Sequence, residues 1–195
     1  HHPVLTTMIY GAFGWVSDQI TGNWMSGVFA FVCIQGIAYL FVFTAACAYM
    51  RRVGCPTVVV FLAYAFFAIM PFVSTWSLCM VKDSLFGIFF IGYFMALLES
   101  VRTHGGFLQR KRNLVLFCLF ALMLCLTKKT GLFVVIPTAI FLAIKLRRTT
   151  RDATTGSSPI VCLAPAIVSV AIAGLLLPLV VFPALNIAPG GKQEV

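Results

Sequence analysis

Four residues stand out by type and position: Lys82 beside Asp83, and Lys128 beside Lys129. The second pair is all that separates two uncharged runs of 15 residues, 113–127 and 130–144, and the first pair precedes a third such run, 84–98. Ammonium groups set between apolar stretches are expensive, about 2.5 to 3.5 kcal/mol each at a bilayer centre on insertion scales, unless water or an anion reaches them. A lysine binds phosphate as a compact point charge. One chemistry open to Lys128, Lys129 and Lys82 is therefore to hold an anionic headgroup and to favour a step in which negative charge grows on it. The competing reading is structural: Lys128 and Lys129 snorkel to the surface and cap the carbonyl end of the preceding helix, with Gly131 helping the turn. Spacing weighs the two evenly. Asp83, just ahead of Ser84, suits an N-cap favoured by the helix dipole, or else shares a cavity with the lysines.

The elements that must position these residues follow from composition. Of 195 residues 61% are hydrophobic and 10% charged, with a mean hydropathy of +1.03, whereas a soluble domain carries about 25% charge. A soluble single-core protein is excluded, and residues 1–195 read as a single transmembrane domain with all-α architecture, a polytopic helical bundle. Uncharged stretches of 32, 29 and 39 residues, at 19–50, 53–81 and 153–191, can each cross a bilayer. The three runs of 15 are marginal, since they rise about 22 Å against a hydrocarbon core of roughly 30 Å. A loop joining two such runs is recessed unless the bilayer thins around it.

Orientation follows from the lysines and arginines. If the first span ends in the cytoplasm at Arg51 and Arg52, strict alternation puts 10 of the 14 cations on that side and leaves Lys82, Lys128, Lys129 and Lys192 outside. About six spans result, at 26–50, 57–75, 84–98, 114–127, 131–144 and 159–185. Residues 1–25 form an outer loop, and 186–195 begin another. Within the first loop Val4, Leu5, Met8, Ile9, Ala12, Phe13, Val16 and Ile20 recur near helical spacing, which predicts an amphipathic helix on the outer surface. Gly11 and Gly14 weaken it, and Trp15 and Trp24 suit headgroup level. Asp18 lies on its polar face, solvated or in contact with an acceptor. Pro71, Pro137, Pro165, Pro178 and Pro183 predict kinks.

Other chemistry has less support. The net charge of +9 would suggest nucleic acid in a soluble protein, but here the cations sit in loops between apolar runs, so no nucleic-acid partner is expected. The seven cysteines show neither CxxC nor Cys/His metal spacing; no metal site and no cofactor are expected, and any metal requirement stays open. His104 reads as a solvated loop residue. No Ser/His/Asp order, phosphate-binding glycine loop or HExxH pattern occurs.

Three stretches in order resemble the membrane glycosyltransferases of the GT-C superfamily, which includes protein O-mannosyltransferases and lipid A aminoarabinose transferases. His1-His2-Pro3-Val4-Leu5 is similar to a His-Pro-Pro-Leu element in the first outer loop, so that a tag origin for the His pair loses ground. Val81-Lys82-Asp83-Ser84-Leu85-Phe86 resembles the outer-loop acid that opens a short span, with Lys82 where Arg or Thr is commoner. Leu126-Thr127-Lys128-Lys129-Thr130-Gly131 resembles a Thr-Lys-Gly turn, with Lys129 and Thr130 added before Gly131. The pattern is closest to an uncharacterised bacterial branch.

The resemblance covers His1 to about Ile144 and implies transfer of a sugar from a polyprenyl-phosphate donor to a glycan, lipid or protein hydroxyl at the extracytoplasmic face of a bacterial plasma membrane. It further implies that the catalytic carboxylate lies upstream of His1, on a longer chain than this one. These residues are then inactive alone and supply Lys128, Lys129 and Lys82 to the lipid phosphate, with His1, His2, Asp83 and Asp18 at the cavity or acceptor. The alternative is a transporter or flippase for an anionic lipid or solute, whose path the same lysines would line.

Overall fold

A chain this apolar satisfies its backbone groups without water by forming helices, and the computed structural model is all-α, with no strand among the described residues. It describes residues 4–150 and 159–173, the side chains of 4, 5, 82, 147–150 and 159–162 excepted. Two compact units arise, one within residues 2–95 and one within 96–195.

The first unit begins with α1 (Val4–Thr21), which turns back at Gly22 onto α2 (Trp24–Arg52). Gly22 has φ +66°, a left-handed conformation that glycine adopts without steric cost, and its N–H donates to Asp18 O at 2.9 Å. Asn23 then caps α2, its Oδ1 accepting from Met25 N–H at 2.9 Å. The two helices pack antiparallel through small residues. A side chain at Gly27 would strike the backbone of Phe13, and one at Gly14 would strike the Trp24 ring. The helix thus runs through Gly14 and uses it for close approach. Ser17 and Ser26 hydroxyls meet at 2.5 Å, and the Phe31 ring lies 4.8 Å from Tyr10 and 5.4 Å from Phe13.

Of the expected apolar stripe of α1, Met8, Val16 and Ile20 are exposed, with Trp15 beside them, whereas Phe13 packs on Phe31 of α2. Asp18, expected on the polar face of α1, is exposed, as is Thr7, whereas Thr6 is buried and Ser17 reaches α2. On α2 the buried residues Gly27, Phe31, Gln35, Tyr39 and Cys47 repeat in steps of four, and Phe43 continues the row by stacking on Phe67 at 4.3 Å. Large apolar side chains cover the other faces, the composition of a helix with no water-facing side.

The expected single span at 57–75 is two helices, α3 (Thr57–Ile69) and α4 (Pro71–Leu78), bent by 60°. Pro71 supplies no N–H and disfavours helical geometry at the residue before it; Met70 accordingly takes φ −68° and ψ 113°. The next helix, α5 (Lys82–Arg102), is longer than its uncharged run of 84–98. Asp83 in its first turn and Arg102 in its last both complement the dipole, so the helix extends over charged residues. At 21 residues it is about 31 Å long and has no shortfall against the membrane.

The second unit contains the end of α5, a turn of helix α6 (Gly106–Gln109), α7 (Lys111–Thr127), α8 (Thr130–Thr150) and α9 (Pro159–Ser169). His104 (φ 49°) and Gly105 (φ 85°) reverse the chain after α5. Thr103 Oγ1 binds the reversal by donating to Glu99 O at 2.8 Å and accepting from Phe107 N–H at 3.0 Å. Helix α9 packs on both α7 and α8, and Phe117, Ala121, Leu124, Val135, Ala139 and Leu142 are fully buried. Pro137 and Pro165 lie inside α8 and α9 without ending them. Residues 170–173 continue α9 as a π-helical turn; the rest of the expected span 159–185, and the outer loop from 186, lie outside the described residues.

By length and composition α2 and α5 can cross a membrane, and the bent α3 and α4 pair would make a third crossing.

Candidate functional site

The turn that carries Lys128 and Lys129 is built from the end of α7. Thr127 is buried, and its Oγ1 donates back to Met123 O at 2.9 Å and Leu124 O at 3.0 Å, which uses carbonyls that a helix end otherwise leaves open. Lys128 leaves the helix with φ −153° and ψ 131°, and its N–H donates to Leu124 O at 3.3 Å. Helix α8 starts two residues later, with Gly131 N–H on Lys128 O at 2.8 Å and Leu132 N–H on Lys129 O at 3.2 Å. The connection is as tight as the sequence predicts.

Gly131 serves the turn by close approach rather than by its conformation. It does not supply a left-handed turn; it lies in the first turn of α8 against the α7 backbone, where a Cβ would sit 2.6 Å from Leu124 O and 2.9 Å from Cys125 Cα. Lys128 is consequently half-buried between the helix ends, and Lys129 is exposed. At the opposite end of this hairpin stand Arg110, Lys111 and Arg112, all exposed at the start of α7, together with Lys145, Arg147 and Arg148 near the end of α8.

Lys82 and Asp83 open α5 in the first unit. Asp83 is in the first helical turn, two residues past the N-cap position rather than in it, and its Oδ1 is shielded from solvent. The segment before it is held from α2. Gln35 is 2% exposed, and its Nε2 donates to Ser77 O at 2.8 Å and Cys79 O at 2.9 Å. One turn further, the Tyr39 hydroxyl donates to Ser84 O at 2.6 Å, over Gly87, whose lack of a side chain leaves room for it. Ser84 Oγ closes the arrangement by donating to Trp76 O at 2.8 Å.

Gln35 thus supplies the donors that the carboxyl end of α4 lacks, a need that is acute where water is absent. Sequence reasoning passed over Gln35 and Tyr39. The available signal was that Gln35 is the only amide side chain in α2. It also passed over Glu99, which is 5% exposed and takes both Arg102 Nε and Nη2, at 2.8 and 2.7 Å.

Of the other expected site residues, Asp18 is exposed near the end of α1. His1 and His2 lie outside the described residues, as does the Lys82 side chain. The pairs Lys82 with Asp83 and Lys128 with Lys129 belong to different units. Among the described residues no three His, Cys, Asp or Glu side chains come together in a group able to hold a metal ion.

Fold and turn geometry define an all-α protein with at least two helices long and apolar enough to cross a membrane. Within that class the chain belongs to DUF6020, a family of unknown function whose model matches residues 1–190. No curated protein and no solved structure matches it.

Proposed function

We propose that these residues form part of a multispanning glycosyltransferase that moves a sugar from a polyprenyl-phosphate donor to an acceptor hydroxyl at the extracytoplasmic face of a bacterial plasma membrane. The observation that carries this reading is the two-residue turn between α7 and α8, with Lys128 half-buried and six cations gathered at the far end of the same hairpin. If those six face the cytoplasm, as short basic segments do, Lys128 and Lys129 lie at the outer face, which that rule depletes of cations. The spans are then α2, the α3 and α4 pair, α5, α7, α8 and the run from 159, with α1 at the outer surface.

In this reading Lys128 and Lys129 stabilise the charge that grows on the lipid phosphate as the sugar leaves; fixed ammonium groups act strongly where dielectric is low. The acceptor is deprotonated by a carboxylate upstream of His1, and Asp83, His1, His2 and Asp18 border the acceptor side. A lipid substrate is further supported by an apolar cleft of about 520 Å³ between α2 and the bent pair, lined by Cys33, Tyr39, Phe43, Phe67 and Ser77 among others. The test is transfer from a polyprenyl-phosphate sugar by the full-length protein in membranes. Lys128→Ala should lower turnover at unchanged membrane abundance, and unchanged turnover overturns the assignment.

One observation favours a second reading, a transporter or flippase for an anionic lipid or solute. A helix pair broken at Met70 and bent by 60° is the kind of discontinuous element that transporters place at a binding site. Lipid scrambling or solute uptake by proteoliposomes without any glycosyl transfer would select it.

A further inference from the structure

Thr6 Oγ1, Tyr10 Oη and Gln35 Oε1, all in the first unit, are buried with no hydrogen-bond partner among the described residues. Such atoms are rare in native interiors, and each calls for a partner, commonly water or a ligand. The register of α1 against α2 places the three residues along one seam. Ser17 meets Ser26, Phe13 meets Gly27, and Tyr10 meets Phe31. One further helical turn along both helices sets Thr6 opposite Gln35.

We propose that Thr6, Tyr10 and Gln35 form a buried site between α1 and α2 for a single neutral hydroxyl group, supplied by water or by a sugar or other polyol. The stoichiometry fits: a hydroxyl oxygen has two lone pairs for the Thr6 and Tyr10 O–H donors and a hydrogen for the Gln35 amide oxygen. Burial pushes the Tyr10 phenol above its ordinary value, so it stays a neutral donor. An anion would face the Gln35 oxygen with no cation supplied by the three residues, and an ammonium would meet no negative charge there. The Gln35 amide nitrogen is already committed to Ser77 O and Cys79 O, which fixes the oxygen toward the site. Occupancy is thereby tied to the segment that precedes Lys82 and Asp83.

Thr6→Val and Tyr10→Phe each delete a hydroxyl and keep the shape. With a guest present, each variant of the full-length protein in lipid nanodiscs should melt about 2 to 4 °C below wild type, and the double variant should lose less than the sum, because both donors serve one oxygen. With no guest, removing an unsatisfied buried hydroxyl stabilises. Melting at or above the wild-type temperature for both variants overturns the site, and so do strictly additive losses. Titration with methyl glucoside separates the sources: a rise in wild-type melting temperature that Thr6→Val abolishes assigns the hydroxyl to sugar, and coupled losses with no such rise assign it to water.

Discussion

Gly131 lies against the carbonyl group of Leu124, so close that a Cβ would stand 2.6 Å from the oxygen and 2.8 Å from the carbon. Those atoms are backbone and cannot swing aside. Gly131→Ala must therefore prise α8 from α7, and overpacking of this kind costs about 1 to 3 kcal/mol. A fall in thermal stability is the expected result and, under the proposed function, weaker transfer as well, because Lys128 is displaced. A variant that melts like wild type would show that the helices do not meet there.

Lys128 and Lys129 differ in exposure, half-buried against exposed. A charge in a drier place acts more strongly on a neighbouring phosphate, so Lys128→Ala should reduce turnover by roughly 10 to 100 fold and Lys129→Ala by several fold less. Lys128→Arg keeps the charge and should recover part of the rate. Equal losses for the two alanine variants, read in a single-turnover assay, would argue against a recessed phosphate.

Gln35→Leu removes the donors to Ser77 O and Cys79 O and leaves both carbonyls without that partner. The expected loss is about 2 to 4 kcal/mol. Amide exchange should rise first across 77–84, the segment that Gln35 and Tyr39 tether, and less along α7 and α8. Uniform loosening of the whole chain would contradict a local clamp.

Glu99 keeps only 6% of its side chain exposed while Arg102 keeps 43%, so the acid depends on the base more than the reverse. Arg102→Ala takes two charged donors from a buried carboxylate, at a cost of about 1 to 3 kcal/mol after screening of the exposed partner. Glu99→Gln with Arg102→Ala should recover much of that loss. A double variant as unstable as Arg102→Ala, by thermal melt, would mean that packing and not charge holds the end of α5.

What was legible in the sequence depended on repetition. Apolar runs many residues long announce helices, and Met8, Val16 and Ile20 of the apolar stripe of α1 are exposed, although Phe13 turns to α2. The two-residue turn at Lys128 and Lys129 was equally plain, since the charges bound it on both sides. Helix ends were harder. Counting uncharged residues truncated α5, because Asp83 and Arg102 are helical residues that the dipole favours, and it fused α3 with α4, because the break needs only Met70 and Pro71. Single polar residues inside an apolar run were invisible for another reason: Gln35 and Tyr39 find their partners 42 to 45 positions away, a relation that no local pattern encodes.

The steps of four along α2 have an evolutionary corollary. Gly27, Phe31, Gln35 and Tyr39 meet α1 and the α4 to α5 segment through one face, and inserting or deleting one residue among them would swing everything beyond it by about 100°. Substitutions at the exposed positions of α2 are tolerable, whereas a change of length is not. Among relatives, alignment gaps should therefore fall outside 27–39.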